Sequence, residues 1–184
     1  MTDPAWPIIE STTEYENPWF SAERDTVRRP DGEIGEYYRI TTGDDDVVVV
    51  AETDDSQIVL VEQYRPRLKD TFLECPAGAA DGEKPTAAAA RELQEETGYK
   101  AESLELLTSY YPEGWVSDQR HIVYATDLDS GEPNLHDGEF LEVCSLPVKD
   151  AIEAVQHEPI VGWALTPLLL ALQSGKISRA ALDD

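Results

Sequence analysis

The sequence predicts an α/β fold: a mixed sheet covered by helices on both faces, preceded by a small antiparallel N-terminal sheet. Three observations predict it. Stretches rich in branched and aromatic residues crowd the chain before residue 75 and return between 104 and 146. One strong helix former separates the two groups, and two more helical stretches follow the last strand. Strands, a central helix, strands and terminal helices, in that order, suit a sheet held between helices.

Each element has a local reason. Residues 1–16 are polar and carry Pro4 and Pro7, which suggests a loose start. Trp19–Val27 and Gly35–Thr41 are strand formers, and Pro30-Asp31-Gly32 between them is turn chemistry. Val47–Ala51 is a continuous apolar run, a strand buried on both faces. Asp54-Asp55-Ser56 turns the chain, Ile58–Gln63 returns, and Phe72–Cys75 feeds a loop over 76–82. Pro85 suits a first helical turn, Ala87–Ala90 and the run to Glu96 favour helix, and Gly98 suits the left-handed residue past its end. That is a helix of about three turns. Leu104–Tyr111, His121–Thr126 and Phe140–Leu146 are strands, with a loop at Pro112–Trp115 and a long acidic loop over 127–138. Pro147 opens a helix to about His157, and Thr166–Gln173 forms a last helix ended by Gly175. We divide the chain at residue 43: N-terminal strands over 1–43, the main domain over 44–184.

Composition limits the partners. Fourteen basic residues, five of them lysine, stand against 38 acidic ones, a net charge of −24. Such a surface repels nucleic acid and anionic membrane. It also repels itself unless salt screens it, so we expect a salt-adapted protein. No signal pattern and no long apolar run marks the sequence, and the expectation is a soluble cytoplasmic chain. Cys75 and Cys144 lie far apart in apolar runs and read as buried free thiols. His121, His136 and His157 are isolated and receive no role.

The helix carries the chemistry. Glu92 and Glu96 stand four apart on one face, with Glu95 beside them. Like charges at that spacing cost a bare helix about 0.2–0.5 kcal/mol per pair. A hard divalent cation reverses that cost, because carboxylate oxygens are its preferred ligands. A solvated acidic face is the plain alternative. The residues around it decide between the two. Glu83, seven residues, then Arg91-Glu92-Leu93-x-Glu95-Glu96-x-Gly98-Tyr99 resembles the Nudix box, in which an invariant pattern of glutamates and one arginine spans a loop and a helix. One position departs: the glycine that opens the box stands at Ala77, and Gly78 shortens the loop by one residue.

Further segments resemble the ADP-ribose pyrophosphatase branch of that family: YENPWF at 15–20, PDGEIGEYY at 30–38, VEQYRP at 61–66, ECPAG at 74–78, TSYYPE at 108–113 and EFLEV at 139–143. Cys75 replaces a usual leucine, and Tyr111-Pro112-Glu113-Gly114-Trp115 replaces a usual Pro-Ser-Pro-Gly-Phe. The resemblance implies an α/β/α sandwich of Nudix type and hydrolysis of a nucleoside diphosphate sugar, with ADP-ribose the first choice. A GDP- or ADP-hexose is the alternative substrate, and a ligand sensor without turnover the alternative function. It implies Mg²⁺, or Mn²⁺, on Glu92, Glu96 and the Ala77 carbonyl, with Glu95 in support and Arg91 holding it. It implies Arg65 on a phosphate, Glu74 on the substrate side, and a homodimer formed through the N-terminal strands. Trp19, Phe20 and Tyr37 are candidates to stack a base. Glu139 is the candidate general base, with Glu142 and then Asp137 in reserve.

Overall fold

A computed structural model describes residues 4–156 and 158–182. His157 lies outside them, and with it the end expected for the penultimate helix. The elements in chain order are β1 (Ile8–Glu16), β2 (Ser21–Arg28), β3 (Ile34–Thr41), β4 (Asp46–Glu52), β5 (Gln57–Arg65), β6 (Asp70–Glu74), β7 (Ala77–Ala79), α1 (Pro85–Thr97), β8 (Lys100–Tyr110), β9 (Arg120–Asp129), β10 (Leu141–Pro147), α2 (Val148–Ala154) and α3 (Gly162–Ser174). A short 3-10 turn follows at Arg179–Leu182. They form two compact units.

The first unit ends at Asp45 and includes residues 110–119. Its three strands pair antiparallel in the order β1-β2-β3. The loose start expected for residues 1–16 is instead strand from Ile8: its Ile, Thr and Tyr residues favour extended chain, and its exposure throughout leaves no apolar alternation to mark it. The loop around Pro112–Trp115 is stitched to β3. The Ile40 N–H donates to the Trp115 carbonyl at 2.9 Å, and the Ser117 N–H to the Ile40 carbonyl at 2.9 Å. The Tyr37 hydroxyl donates to the Gly114 carbonyl at 2.8 Å, and the Thr41 hydroxyl to Asp118 at 2.6 Å.

The second unit is built on a seven-stranded mixed sheet whose main path is β10-β5-β4-β9-β8. Residues Val47–Ala51 of β4 are fully buried, as a strand covered on both faces should be. β4 runs parallel to β9 and antiparallel to β5. The β4–β5 pairing covers only Ala51↔Val59 and Glu52↔Ile58. Beyond it the two strands fork. β4 pairs with β7 through residues 46–48, and β5 with β6 through residues 61–65. The chain from Glu74 to Ala79 therefore crosses the fork.

The helix α1 lies on that same face. Pro85 opens it and Gly98 closes it at φ +78°, donating its N–H to the Gln94 carbonyl. Ala88, Ala89, Leu93 and Thr97 turn inward, and Ala89 and Leu93 join Val49, Ala51, Val59, Val123 and Ala125 in one cluster. Burying Leu93 contributes about 1.5–3 kcal/mol. The small alanines bring the helix close to the sheet and fix which face looks away from it. α3 begins four residues before the expected Thr166 and keeps Pro167 inside it, its apolar length making up for the lost N–H. Among the described residues no helix is long and apolar enough to cross a membrane.

Candidate active site

The half-buried flank of α1 that bears Glu92, Glu95 and Glu96 lies beside the chain that crosses the fork. The Ala77 N–H donates to Glu96 Oε2 at 3.0 Å, so the first residue of β7 is tied to the last glutamate of the helix. One residue on, Gly78 faces Glu92. A Cβ there would fall far inside contact distance of the Glu92 carboxylate. The glycine is a cradle for a charged group. The glycine stands where the Glu92 side chain needs room.

Arg91 joins the rest. Its guanidinium donates to Glu83 at 2.8 Å, Glu92 at 2.6 Å, Glu95 at 3.2 Å and the Ala79 carbonyl at 2.8 Å, and it lies 3.3 Å from Asp81. The expectation had Arg91 holding Glu95. The structure has it holding the whole 79–83 turn against the helix as well. Five donors in a planar fork make this possible.

Burial and like charge shape the electrostatics. Burial raises the Glu96 carboxyl to about 8; the Ala77 N–H works against this, and Glu92, Glu139 and Glu74 add to it. Burial also raises Glu92, opposed by Arg91 and reinforced by Glu95 and Glu139. Carboxylates held this close, and this dry, call for a cation. Among the described residues no three His, Cys, Asp or Glu side chains already form a coordination shell, and Arg91 sits on Glu92. The donor chemistry fits a hard divalent ion all the same: oxygen atoms on a rigid helix, beside a backbone turn, with excess negative charge.

Arg65, opposite Asp70 in the β5–β6 pairing, sends its side chain along the strands to Glu74, which stands opposite Val61. The guanidinium Nε donates to Glu74 Oε1 at 2.8 Å, and Nη2 pairs with Oε2. Glu74 is buried and Arg65 about a third exposed. The two residues assigned separately to phosphate and to substrate thus form one forked pair, which leaves part of the Arg65 fork outward. Sequence reading missed the pairing because it joins neighbouring strands across a loop.

The base candidates separate by place. Glu139 lies in the segment between β9 and β10, near enough to raise both Glu92 and Glu96. Its carboxylate accepts the His136 N–H at 2.9 Å. Glu142 stands on β10 directly opposite Glu62 and is exposed. Glu139 and Glu142 both line a groove of 440 Å³ with Glu62, Tyr64 and Phe140. Asp137 is exposed in the turn before Glu139. The acidic loop is shorter than expected, since β9 continues to Asp129. In the other unit, Trp19 is 82% exposed and Phe20 lies beside Tyr15, while Tyr37 is bound to Gly114.

The NUDIX domain matches residues 44–164, and the nucleoside diphosphate sugar hydrolase N-terminal domain matches residues 6–40. An ADP-ribose pyrophosphatase of Mycobacterium tuberculosis is 33% identical over 184 residues, covering 95% of this chain and 86% of its own length. An ADP-ribose pyrophosphatase of Bacillus subtilis is 37% identical over 118 residues, covering 62% of this chain and 64% of its own length. The match spans just under two thirds of that protein. A crystal structure of an ADP compounds hydrolase shares the fold with a TM-score of 0.79 at 25% identity, over 93% of this chain and 94% of that one.

Proposed function

We propose, from the premise that this chain belongs to the Nudix family, that it hydrolyses the pyrophosphate bond of a nucleoside diphosphate sugar, with ADP-ribose the preferred substrate. The observation that carries this reading is the juxtaposition of Glu92 and Glu96 with Ala77 and Gly78 of β7, beside a box segment complete from Glu83 to Tyr99. A sensor without turnover would have no use for a full set of box carboxylates.

The roles follow from position. Glu92, Glu96 and the Ala77 carbonyl would hold Mg²⁺ or Mn²⁺, with Glu95 in support. Such an ion, when bound, neutralises the pyrophosphate and lowers the pKa of the attacking water. Arg91 keeps the turn and helix in register through Glu83 and the Ala79 carbonyl. Arg65, oriented by Glu74, offers its outward N–H groups to a phosphate. Glu139 takes the proton as water adds to phosphorus. The bridging P–O bond breaks, and ADP-ribose gives AMP and ribose 5-phosphate.

The N-terminal unit exposes Ile8, Ile9, Ile34 and Tyr38 on a thin sheet, which fits burial against a second copy. Two free cysteines fit a reducing cytoplasm. The charge of −24 fits a salty one. A melting series from low to molar KCl tests the last point, and greatest stability at low salt would end it.

The function is tested by assaying ADP-ribose, ADP-glucose, GDP-mannose and a dinucleotide with Mg²⁺ at low and high KCl, with products identified by chromatography. Equimolar AMP and ribose 5-phosphate from ADP-ribose is the expected result. A faster hexose nucleotide moves the substrate within the class. No turnover of any member, with the nucleotides still bound, supports the sensor instead.

A further inference from the structure

The segment that carries Glu139 runs from the end of β9 at Asp129 to the start of β10 at Leu141. An eleven-residue loop rich in Gly and acid reads as a free flap. Its first half is not free. Gly98, the left-handed residue closing α1, lies against Gly131 backbone to backbone. A Cβ on Gly98 would stand 2.7 Å from the Glu132 carbonyl carbon and nearer still to the Gly131 oxygen, and a Cβ on Gly131 would stand 2.8 Å from the Gly98 oxygen. Three residues on, the Asn134 N–H donates to the Glu95 carbonyl at 2.8 Å. That carbonyl is one of the last four of the helix, which lack partners within it. The next link reaches the base candidate. The His136 N–H donates to Glu139 Oε2 at 2.9 Å, and the Glu139 N–H returns to the His136 carbonyl at 3.1 Å.

We infer that Gly131 and Asn134 are positioning residues for Glu139: they latch its loop to the C-terminal end of α1. The inference rests on the reading of Glu139 as general base. Its consequence is geometric. The helix that presents Glu92 and Glu96 also sets, through its own last turn, where the base stands. One rigid element therefore fixes both halves of the site.

Gly131 makes a clean test. Its φ lies outside the left-handed region, so alanine there carries no backbone strain. The added methyl meets a main-chain carbonyl, which cannot swing aside, and the loop must lift. Gly131→Ala is made alone and in a Glu139→Gln background, with kcat, KM, Mg²⁺ affinity by calorimetry and Tm measured for each. We expect Gly131→Ala to lower kcat by roughly 10–100-fold, the scale of a displacement of about 1 Å, with KM and Mg²⁺ affinity changed less than about threefold. In the Glu139→Gln background the same change should slow the enzyme no further. Asn134→Pro, which deletes the latching N–H, should slow kcat more than Asn134→Ala does. If Glu139→Gln is slow and Gly131→Ala is normal, the latch is overturned and the base reading stands. Equal losses from Gly131→Ala in both backgrounds also overturn it. If Glu139→Gln turns over normally, the base reading fails and the latch with it.

Discussion

Gly78 and Glu92 share a space that admits a methyl group or a carboxylate, but not both. The glycine φ lies outside the left-handed region, so Gly78→Ala carries no left-handed backbone strain and meets the Glu92 carboxylate first. We expect the variant to fold with native helix content and to bind Mg²⁺ on the order of 10–100-fold more weakly, as changes beside a ligand do. Calorimetric titration checks this. Unchanged Mg²⁺ affinity would remove Glu92 from the metal face.

Glu92→Gln and Glu96→Gln keep shape and remove charge. Each is expected to lower kcat by about 10² or more, the scale of one lost preorganised electrostatic group. Steady-state assays at saturating Mg²⁺ read it out. Wild-type rates in both variants would defeat the assignment.

Arg65 and Glu74 are unequal partners. Removing Arg65 leaves a buried carboxylate without its charge partner, whereas Glu74→Gln leaves a neutral amide opposite an arginine that water can reach. Arg65→Ala should therefore destabilise more than Glu74→Gln, by up to about 3 kcal/mol once solvent screening of the arginine is allowed for. Urea melts of both variants decide it, and the reverse order would mean the pair is not the main anchor of Glu74.

Glu96 sets a pH dependence. Its folded carboxyl is raised from 4.5 to about 8, chiefly by burial. The folded metal-free protein holds this proton where the unfolded chain has lost it. That contribution to stability is full below the unfolded value and is lost as pH rises through about 8. Mg²⁺ competes with the same proton, so its affinity should climb across that window. Titrations between about pH 5 and about pH 9 test both signs. A flat Mg²⁺ affinity, or the same slope in Glu96→Gln, would assign the effect elsewhere.

A homodimer is expected in solution, joined through the exposed side chains of β1 and β3. Light scattering at assay salt measures it directly. Asp and Lys substitutions at Ile8 and Ile34 should shift the protein toward monomer. A fully active wild-type monomer would rule the dimer out.

Much was legible in the sequence because its signals are local. The span of α1 follows from Pro85, the alanines and Gly98, each acting within a turn of itself. The buried run Val47–Ala51 announces a strand covered on both faces. The carboxylate face needs only helical periodicity, so Glu92, Glu95 and Glu96 could be read as a group before any fold was known. β1 failed where the same logic failed it: a strand exposed on both faces has no apolar alternation to declare it.

The fold class, the helix that bears the carboxylates and the chemistry those carboxylates suit follow from local signals along the chain. Which groups meet depends on the folded sheet. The fork between β4 and β5 brings Ala77 and Gly78 to Glu96 and Glu92. The β5–β6 hairpin lets the Arg65 side chain reach along the strands to Glu74, and two glycines 33 positions apart touch at Gly98 and Gly131. What separates the two is range. Propensity, capping and periodicity act over one or two turns of chain, whereas the space beside a carboxylate is set by whichever distant backbone the sheet carries past it.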